Sequence, residues 1–357
     1  MTRKRFVRIF LAVLVIAGSL AALTRLLVPK YMGQVTEGAF IGEYYDDKTP
    51  HDLLILGDCE AYENISPVAL WKGFGITSWI RGSAQQLIPQ SYFLLEDTLR
   101  HEKPKAVLLS ISAMQQIDQV SETYNRMTLD GMKWSKVKLS AIEATKMPEE
   151  HLVEYIFPLL RFHSRWSDLG EDDFRYYLHR NLTTHNGYYL RADVRPAGEF
   201  PEERRVRNPE FDEKGYEYLD RIRELCDKEG IELLFFKAPS LYPVWHREWN
   251  MQIEEYAEKY GIPYINALED IDRIGIDLNT DTYDGGLHMN VYGAEKISAY
   301  LGPVLQEAGL PDHRGEAALD AAWTEKEDRY EAVKAAQEQE FAEKGFLAQF
   351  AGEDEAS

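Results

Sequence analysis

Cysteine is almost missing from this chain: Cys59 and Cys226 are the only two in 357 residues. Two thiols cannot build a disulfide framework, and no Cys/His group has the spacing of a zinc site. One Cys59–Cys226 disulfide is the single pairing open. Against it, Cys226 falls on the apolar face of a predicted helix with Leu219, Ile222 and Leu225, where a buried free thiol is ordinary. Basic charge is also scarce, at 40 Lys and Arg against 60 Asp and Glu, a net of −20. That balance excludes nucleic acid as a partner, because phosphates need a basic surface. Internal repeats of the solenoid kind are absent. With 45% hydrophobic and 12% aromatic residues the chain can bury a core, which excludes global disorder.

Acids are absent from residues 1–30, which hold six basic residues, leaving 34 basic against all 60 acidic ones in the remainder. Charge of either sign is absent from Ile9 to Thr24, "IFLAVLVIAGSLAALT". With Arg8 and Arg25 snorkelling, Phe6–Val28 is long enough for a bilayer core of ~30 Å. Arg3, Lys4 and Arg5 precede it, so the positive-inside bias puts the N-terminus in the cytoplasm and the folded body outside. The expectation is a single-pass membrane anchor over 1–30. The alternative is a secreted protein whose signal peptide is cleaved near Ser19-Leu20-Ala21.

A polar connector follows over 31–50. Beyond it, short apolar runs alternate with amphipathic stretches. "HDLLILGD", "ITSWIRGSA", "KAVLLSIS", "IELLFFKAPS" and "IPYINAL" read as strands. "PQSYFLLEDTLRHEKP", "DEKGYEYLDRIRELCDKEG", "WNMQIEEYAEKYG" and "NVYGAEKISAYLGPVLQEAG" read as helices. Ser66 and Pro67 start another helix, ended by Gly73 or Gly75. Such alternation predicts an α/β fold, a flavodoxin-like three-layer α/β/α sandwich on a parallel sheet of about five strands. The α/β domain is expected over 51–312. A helical and loop insertion at about 115–205 interrupts it. A charged helix and tail occupy 313–357, with sparse apolar residues (Trp323, Tyr330, Val333, Phe341) that favour docking over a coiled coil.

In such sheets ligands bind at the carboxyl ends of the strands. Cys59, in "LGDCEAYENISP", lies at one. Backbone N–H groups at the following helix start favour a thiolate, whereas Asp58 and Glu60 oppose it. The base must come from elsewhere, and His288 in the Gly-rich "TYDGGLHMNVYG" is the candidate. Asp284 is the preferred acid and Asp281 the alternative, since an acid fixes the imidazole tautomer and stabilises the imidazolium. The plainer alternatives are a small buried residue in a tight corner for Cys59 and a surface histidine for His288. Asp58, Glu60 and His288 lack a second ligand cluster, so neither a metal nor a cofactor is expected.

These residues carry a resemblance. "LGDCEAYENISP" resembles the Gly-Asp-Ser block of the SGNH/GDSL hydrolase superfamily, with Cys59 in the serine position. "IRGSAQQ" resembles its second block, which implies Gly82 as an oxyanion-hole residue beside the Cys59 N–H. "YDGGLHMNVYGAEKIS" resembles its last block, implying His288, Asn290 and Gly293. The three appear in order over about residues 50–310. The chain departs from the pattern in three ways. The nucleophile is Cys, Gly285 stands three residues before His288 where Asp is usual, and "LLSISAMQQ" has no Asn where the third block has one. Ser112, Gln85 or Asn64 are the candidates to replace that donor, and Asp58 and Asn290 are further candidates for contact with substrate.

The chain is most similar to the membrane-anchored branch that includes the DltD-like and alginate O-acetylation proteins. The resemblance implies a membrane-bound O-acyltransferase as partner and acyl transfer, O-acetyl above all, to a polysaccharide, polyol or teichoic-acid-like acceptor. Trp134, Arg161, His163, Arg165 and Trp166 in the insertion are candidates for an acceptor platform, with packing of the insertion as their alternative role. An extracellular carbohydrate or lipid esterase, and a catalytically inactive scaffold for a membrane acyltransferase, are the competing functions.

Overall fold

The computed structural model describes residues 3–28, 31–32, 35–36, 39–115, 117–118, 121–178, 182–198, 201 and 209–350. Five runs of apolar residues form one parallel sheet: β1 (Leu53–Gly57), β2 (Ser78–Gly82), β3 (Ala106–Ser110), β4 (Glu232–Lys237) and β5 (Tyr264–Asn266). Their order is β2-β1-β3-β4-β5. Every residue of β1, β2 and β3 is buried. This is the mark of a sheet covered on both faces, and it is why β1 and β3 read as near-continuous apolar runs, while β2 buries Arg81 against Asp97.

The apolar helix α1 (Arg3–Leu27) precedes the sheet. Between the strands lie α2 (Cys59–Tyr62), α3 (Pro67–Phe74), α4 (Ile88–Thr98), α5 (Glu213–Glu229) and α6 (Arg247–Tyr260), and after them α7 (Val291–Glu307) and α8 (Ala317–Lys344). Leu53, Ile55, Leu108, Leu234 and Phe236 face α3, α7 and α8. Leu54, Leu56, Val107, Leu109 and Phe235 face α4, α5 and α6. The result is the three-layer α/β/α sandwich.

Local signals explain the helix ends. Ser66 caps α3 by accepting from the Ala69 N–H, Pro67 opens it, and Gly75 rather than Gly73 closes it at φ +67°. Gly230 closes α5 at φ +66°. Helix α4 stops at Thr98, six residues before Pro104, where the stretch read as a helix ends. Cys226 is fully buried on α5, and both cysteines are free, so the disulfide does not form. Helix α8 docks: Trp323 is fully buried and stacks on Trp71 of α3, with ring centroids 5.1 Å apart.

Between β3 and α5 the chain makes helices at Glu122–Gly131, Lys136–Thr145, Leu152–Ile156, Leu159–Phe162 and Glu171–Leu178. An irregular segment over 184–195 then threads back across the sandwich. Asn186 O accepts from Ile80 N (2.9 Å), Tyr189 N donates to Tyr62 O (2.9 Å), and Arg191 O accepts from Val291 N (2.7 Å). Gln337 of α8 pins this segment, accepting from Ala192 N at 2.9 Å and donating to Leu190 O at 3.2 Å.

The order β2-β1-β3 makes the carboxyl ends of β1 and β3 the point where the chain switches direction across the sheet, the place where open α/β sheets leave a crevice. Gly57 ends β1 at φ +149°, and a Cβ there would lie 2.5 Å from the Ser110 Cβ, so only glycine permits the turn into α2. Glu60 of α2 is tied to β4: Lys237 Nζ donates to its Oε1 at 2.7 Å, and both side chains are buried. Removing one member of such a pair leaves an uncompensated charge inside the protein. Lys237→Met is therefore expected to lower unfolding stability by about 3–5 kcal/mol. Glu60→Gln combined with Lys237→Met should recover a large part of that loss, as read by urea denaturation of the full chain.

Candidate active site

Asp58 caps α2, its Oδ1 accepting from the Glu60 N–H at 3.1 Å and from the Ser112 hydroxyl at 2.9 Å. Burial first, and the neighbouring Glu60 charge second, push its carboxyl up to about 6. Cys59 is the first residue of α2, so its N–H is among those left unpaired at a helix start. Gly82 pairs in register with Gly57, and a Cβ on it would lie 2.9 Å from the Gly57 carbonyl oxygen. The second block of the sequence thus abuts the Cys59 turn at a contact only glycine allows.

The loop before α7 brings His288 to Cys59. Asp284 Oδ2 lies 2.7 Å from His288 Nδ1, while its Oδ1 accepts from the N–H groups of Leu287 (3.1 Å) and His288 (2.9 Å). Gly285 and Gly286 take φ of +83° and +101°, a conformation that lets an acid four residues back fold onto the imidazole. Asp281 does not reach His288. It binds Lys296 Nζ at 2.5 Å and the Asp277 N–H at 2.7 Å.

A second carboxylate adjoins the same ring nitrogen. Glu63 Oε2 is 3.4 Å from His288 Nδ1, and the Tyr283 hydroxyl donates to it. The Arg191 guanidinium lies 4.2 Å from the Tyr283 ring centroid and holds Asp193 through two hydrogen bonds of 2.9 and 2.7 Å. Sequence reading assigned Glu63, Tyr283 and Arg191 no role, and placed Lys237 only at the carboxyl end of a strand. For Glu63 a signal existed, since it follows Cys59 by one helical turn; Arg191 reaches the site only through the threaded segment.

Electrostatics at the site are dominated by burial. Burial pushes the Cys59 thiol up to about 11, against a lowering influence of His288 and with Asp58 raising it further. The expected thiolate stabilisation by helix N–H groups is outweighed; α2 is one turn long and three acids surround it. Burial disfavours the His288 imidazolium, but the charges of Glu63 and Cys59 and the bond to Asp284 overcome this and raise it well above its ordinary value. Burial also raises Glu63. His288 Nε2 is buried, with the Cys59 thiol as its neighbour.

Several candidate residues are committed elsewhere. Ser112 spends its one hydroxyl proton on Asp58, so it has none for an oxyanion. Asn64 is a buried strut: its Oδ1 accepts from Met289 N (2.8 Å) and its Nδ2 donates to Glu60 O (3.0 Å), joining α2 to the histidine loop. Asn290 is fully buried and caps α7, with its Nδ2 on the carbonyls of Asp193 and Thr280, so it does not face substrate. Asp58 is likewise a cap. Gln85 sits in the turn after β2 at φ +50°. The acceptor platform is not assembled at Cys59. Trp134 and Trp166 are exposed, and Arg161 pairs with Glu122. His163 lies 3.2 Å from the Leu160 oxygen, and Arg165 binds Asp173 and the Leu27 carbonyl. Their partners lie within the insertion and at the end of α1.

Neither a family model nor a curated protein matches the chain. Among solved structures it is similar to a GDSL-like lipase from Bacteroides thetaiotaomicron, at 12% identity over 76% of this chain and 99% of that one, with a TM-score of 0.35. It is also similar to a candidate acylhydrolase from Bacteroides fragilis, at 9% identity over 74% of this chain and 94% of that one, TM-score 0.35. Likenesses this distant leave the chemistry to be read from the residues of this chain.

The raised thiol gives a direct readout. Alkylation of Cys59 by iodoacetamide in the full chain should keep accelerating with pH beyond 9 instead of levelling near the ordinary thiol range of about 8.5. His288→Ala removes the one neighbour that lowers the thiol and should slow alkylation at any given pH. A plateau below pH 9, followed by mass spectrometry of the Cys59 peptide, would contradict the burial argument.

Proposed function

We propose that this chain is an acyl-transfer enzyme of the SGNH/GDSL type in which Cys59 is the nucleophile, His288 the base and Asp284 the acid that orients it. The observation that carries the reading is the 2.7 Å Asp284–His288 bond beside Cys59 at the switch point of the sheet. A nucleophile, a base and an orienting acid brought together from distant segments are recognised by geometry rather than by order.

The steps follow from the site. Nε2 of His288 takes the Cys59 proton, and Sγ attacks the carbonyl carbon of an acyl ester. The C–O bond of the donor breaks, and His288 returns the proton to the leaving oxygen. An acceptor hydroxyl then loses its proton to His288, its oxygen bonds to the acyl carbon, and the S–C bond breaks with reprotonation of Sγ. Backbone N–H groups of Cys59 and Gly82 hold the oxyanion in each half, with Gln85 the remaining side-chain candidate. A thioester is more activated than the oxygen ester it becomes, which suits onward transfer. The acyl group is acetyl in this reading, the donor a membrane-bound O-acyltransferase, and the acceptor a polysaccharide, polyol or teichoic-acid-like polymer outside the cell. The anchor is α1, which is long and apolar enough to cross a membrane. A cavity of ≈ 300 Å³ lined by Ser240, Trp245, Asn250 and Glu269 adjoins the histidine loop through the Leu241 N–H to Gly286 O bond (2.7 Å) and offers the acceptor a place.

With an acetyl-ester reporter, the full chain should form a covalent acyl adduct on Cys59 that Cys59→Ala lacks. His288→Ala should lower kcat/KM by about 10²–10⁴-fold. An added polyol acceptor should discharge the adduct faster than water does; discharge to water at an unchanged rate would favour an esterase. An adduct retained by Cys59→Ala would remove the nucleophile assignment.

The base works only when neutral, so the acidic limb of kcat/KM should lie above the ordinary histidine value of about 6.5. Glu63→Gln removes a charge that raises His288, and the limb should move to lower pH. An unmoved limb would assign Glu63 a packing role only.

A further inference from the structure

The helices of the insertion that follow residue 150 carry their apolar side chains outward. Ile156 (47% exposed) ends one short helix, Phe157 (62%) follows it and Leu160 (55%) lies on the next, with Tyr155 turned in at 2%. Phe174 (50%) and Leu178 (70%) stand four apart on Glu171–Leu178, and Trp166 between the two groups is 72% exposed. Scattered exposed apolar residues need no explanation, but a run of large ones rimmed by polar residues marks a contact surface.

This surface adjoins α1. The segments Leu159–Phe162, His163–Asp168 and Glu171–Leu178 pack against that helix. Arg165 Nη1 donates to the Leu27 carbonyl (3.2 Å) while its other nitrogen holds Asp173, and Arg25 lies over the Tyr177 ring at 5.4 Å. Leu27 is buried by these contacts, whereas the apolar span before it is 0% buried. Helix α1 rises about 37 Å over 25 residues, against a hydrocarbon core of ~30 Å. Whatever covers α1 on all sides ends where this collar begins. Aromatic side chains at that level are the usual furniture of the membrane–water interface.

We infer that the outward apolar face of residues 152–178 is a lipid-contacting collar that seats in the membrane interface around the end of α1. This rests on the anchor reading of α1. The collar converts a one-point tether into a broad contact, so the catalytic domain is held at a fixed height and tilt instead of swinging on a linker.

The test is depth-resolved quenching. Full-length protein, without other proteins, is reconstituted into phosphatidylcholine vesicles carrying doxyl groups near the headgroup or at the chain end. Emission from Trp166 is obtained as the difference between wild type and Trp166→Phe. The expected result is quenching of that component severalfold stronger by the shallow label than by the deep one. A variant with Phe157→Glu, Leu160→Glu and Leu178→Glu should still float with the vesicles but lose that quenching. Protein that floats while its Trp166 component is unquenched by either label overturns the collar, leaves the anchor standing and assigns the face to a protein partner. Protein that does not float removes the anchor reading and the collar together.

Discussion

Three acids within six residues, Asp58, Glu60 and Glu63, surround Cys59, and the ammonium of Lys237 makes that density tolerable. Carboxylates this close in a low-dielectric interior repel one another and resist ionisation. Each has a separate answer. Glu60 is paired with Lys237 at the end of β4, Asp58 is spent as a helix cap under the Ser112 hydroxyl, and Glu63 faces Tyr283 and His288. The Cys59 turn is thereby tied to β3, β4 and the histidine loop, and its geometry depends on all three.

The histidine inherits this arrangement. Two carboxylates on one side of the imidazole raise its proton affinity, while burial raises that of the thiol on the other. That balance of proton affinities, one raised by neighbouring charge and one by burial, is the poise of the pair. Segments far from Cys59 contribute to this poise. Helix α8 fixes Gln337, Gln337 fixes the backbone at 190–192, and Arg191 there supports Tyr283, which donates to Glu63.

The sheet was legible because its strands are short and largely apolar, and several flanking helices, such as α3, α5 and α6, end on a glycine that local chemistry dictates. The placement of Cys59, Gly82 and Asp284, which needs only a turn or a close approach, was legible as well. Illegible were the partners supplied across the fold. Nothing in "IELLFFKAPS" announces that Lys237 turns inward, and the threaded segment at 184–195 has no periodicity to read. Two of the three side-chain donors expected at the oxyanion were hidden for the same reason. Whether Ser112 and Asn64 are free is decided by neighbours distant in sequence, and both are occupied.

The glycine pair at 285–286 has a consequence for how such sites are found. Distance along a chain stands in for reach only when the intervening backbone is of one kind. Here two residues in the left-handed region shorten the path, so that an acid one place farther back arrives at the same nitrogen. A pattern that fixes the number of residues between acid and histidine is really a statement about backbone dihedral angles. It passes over chains that make the same contact with a different count.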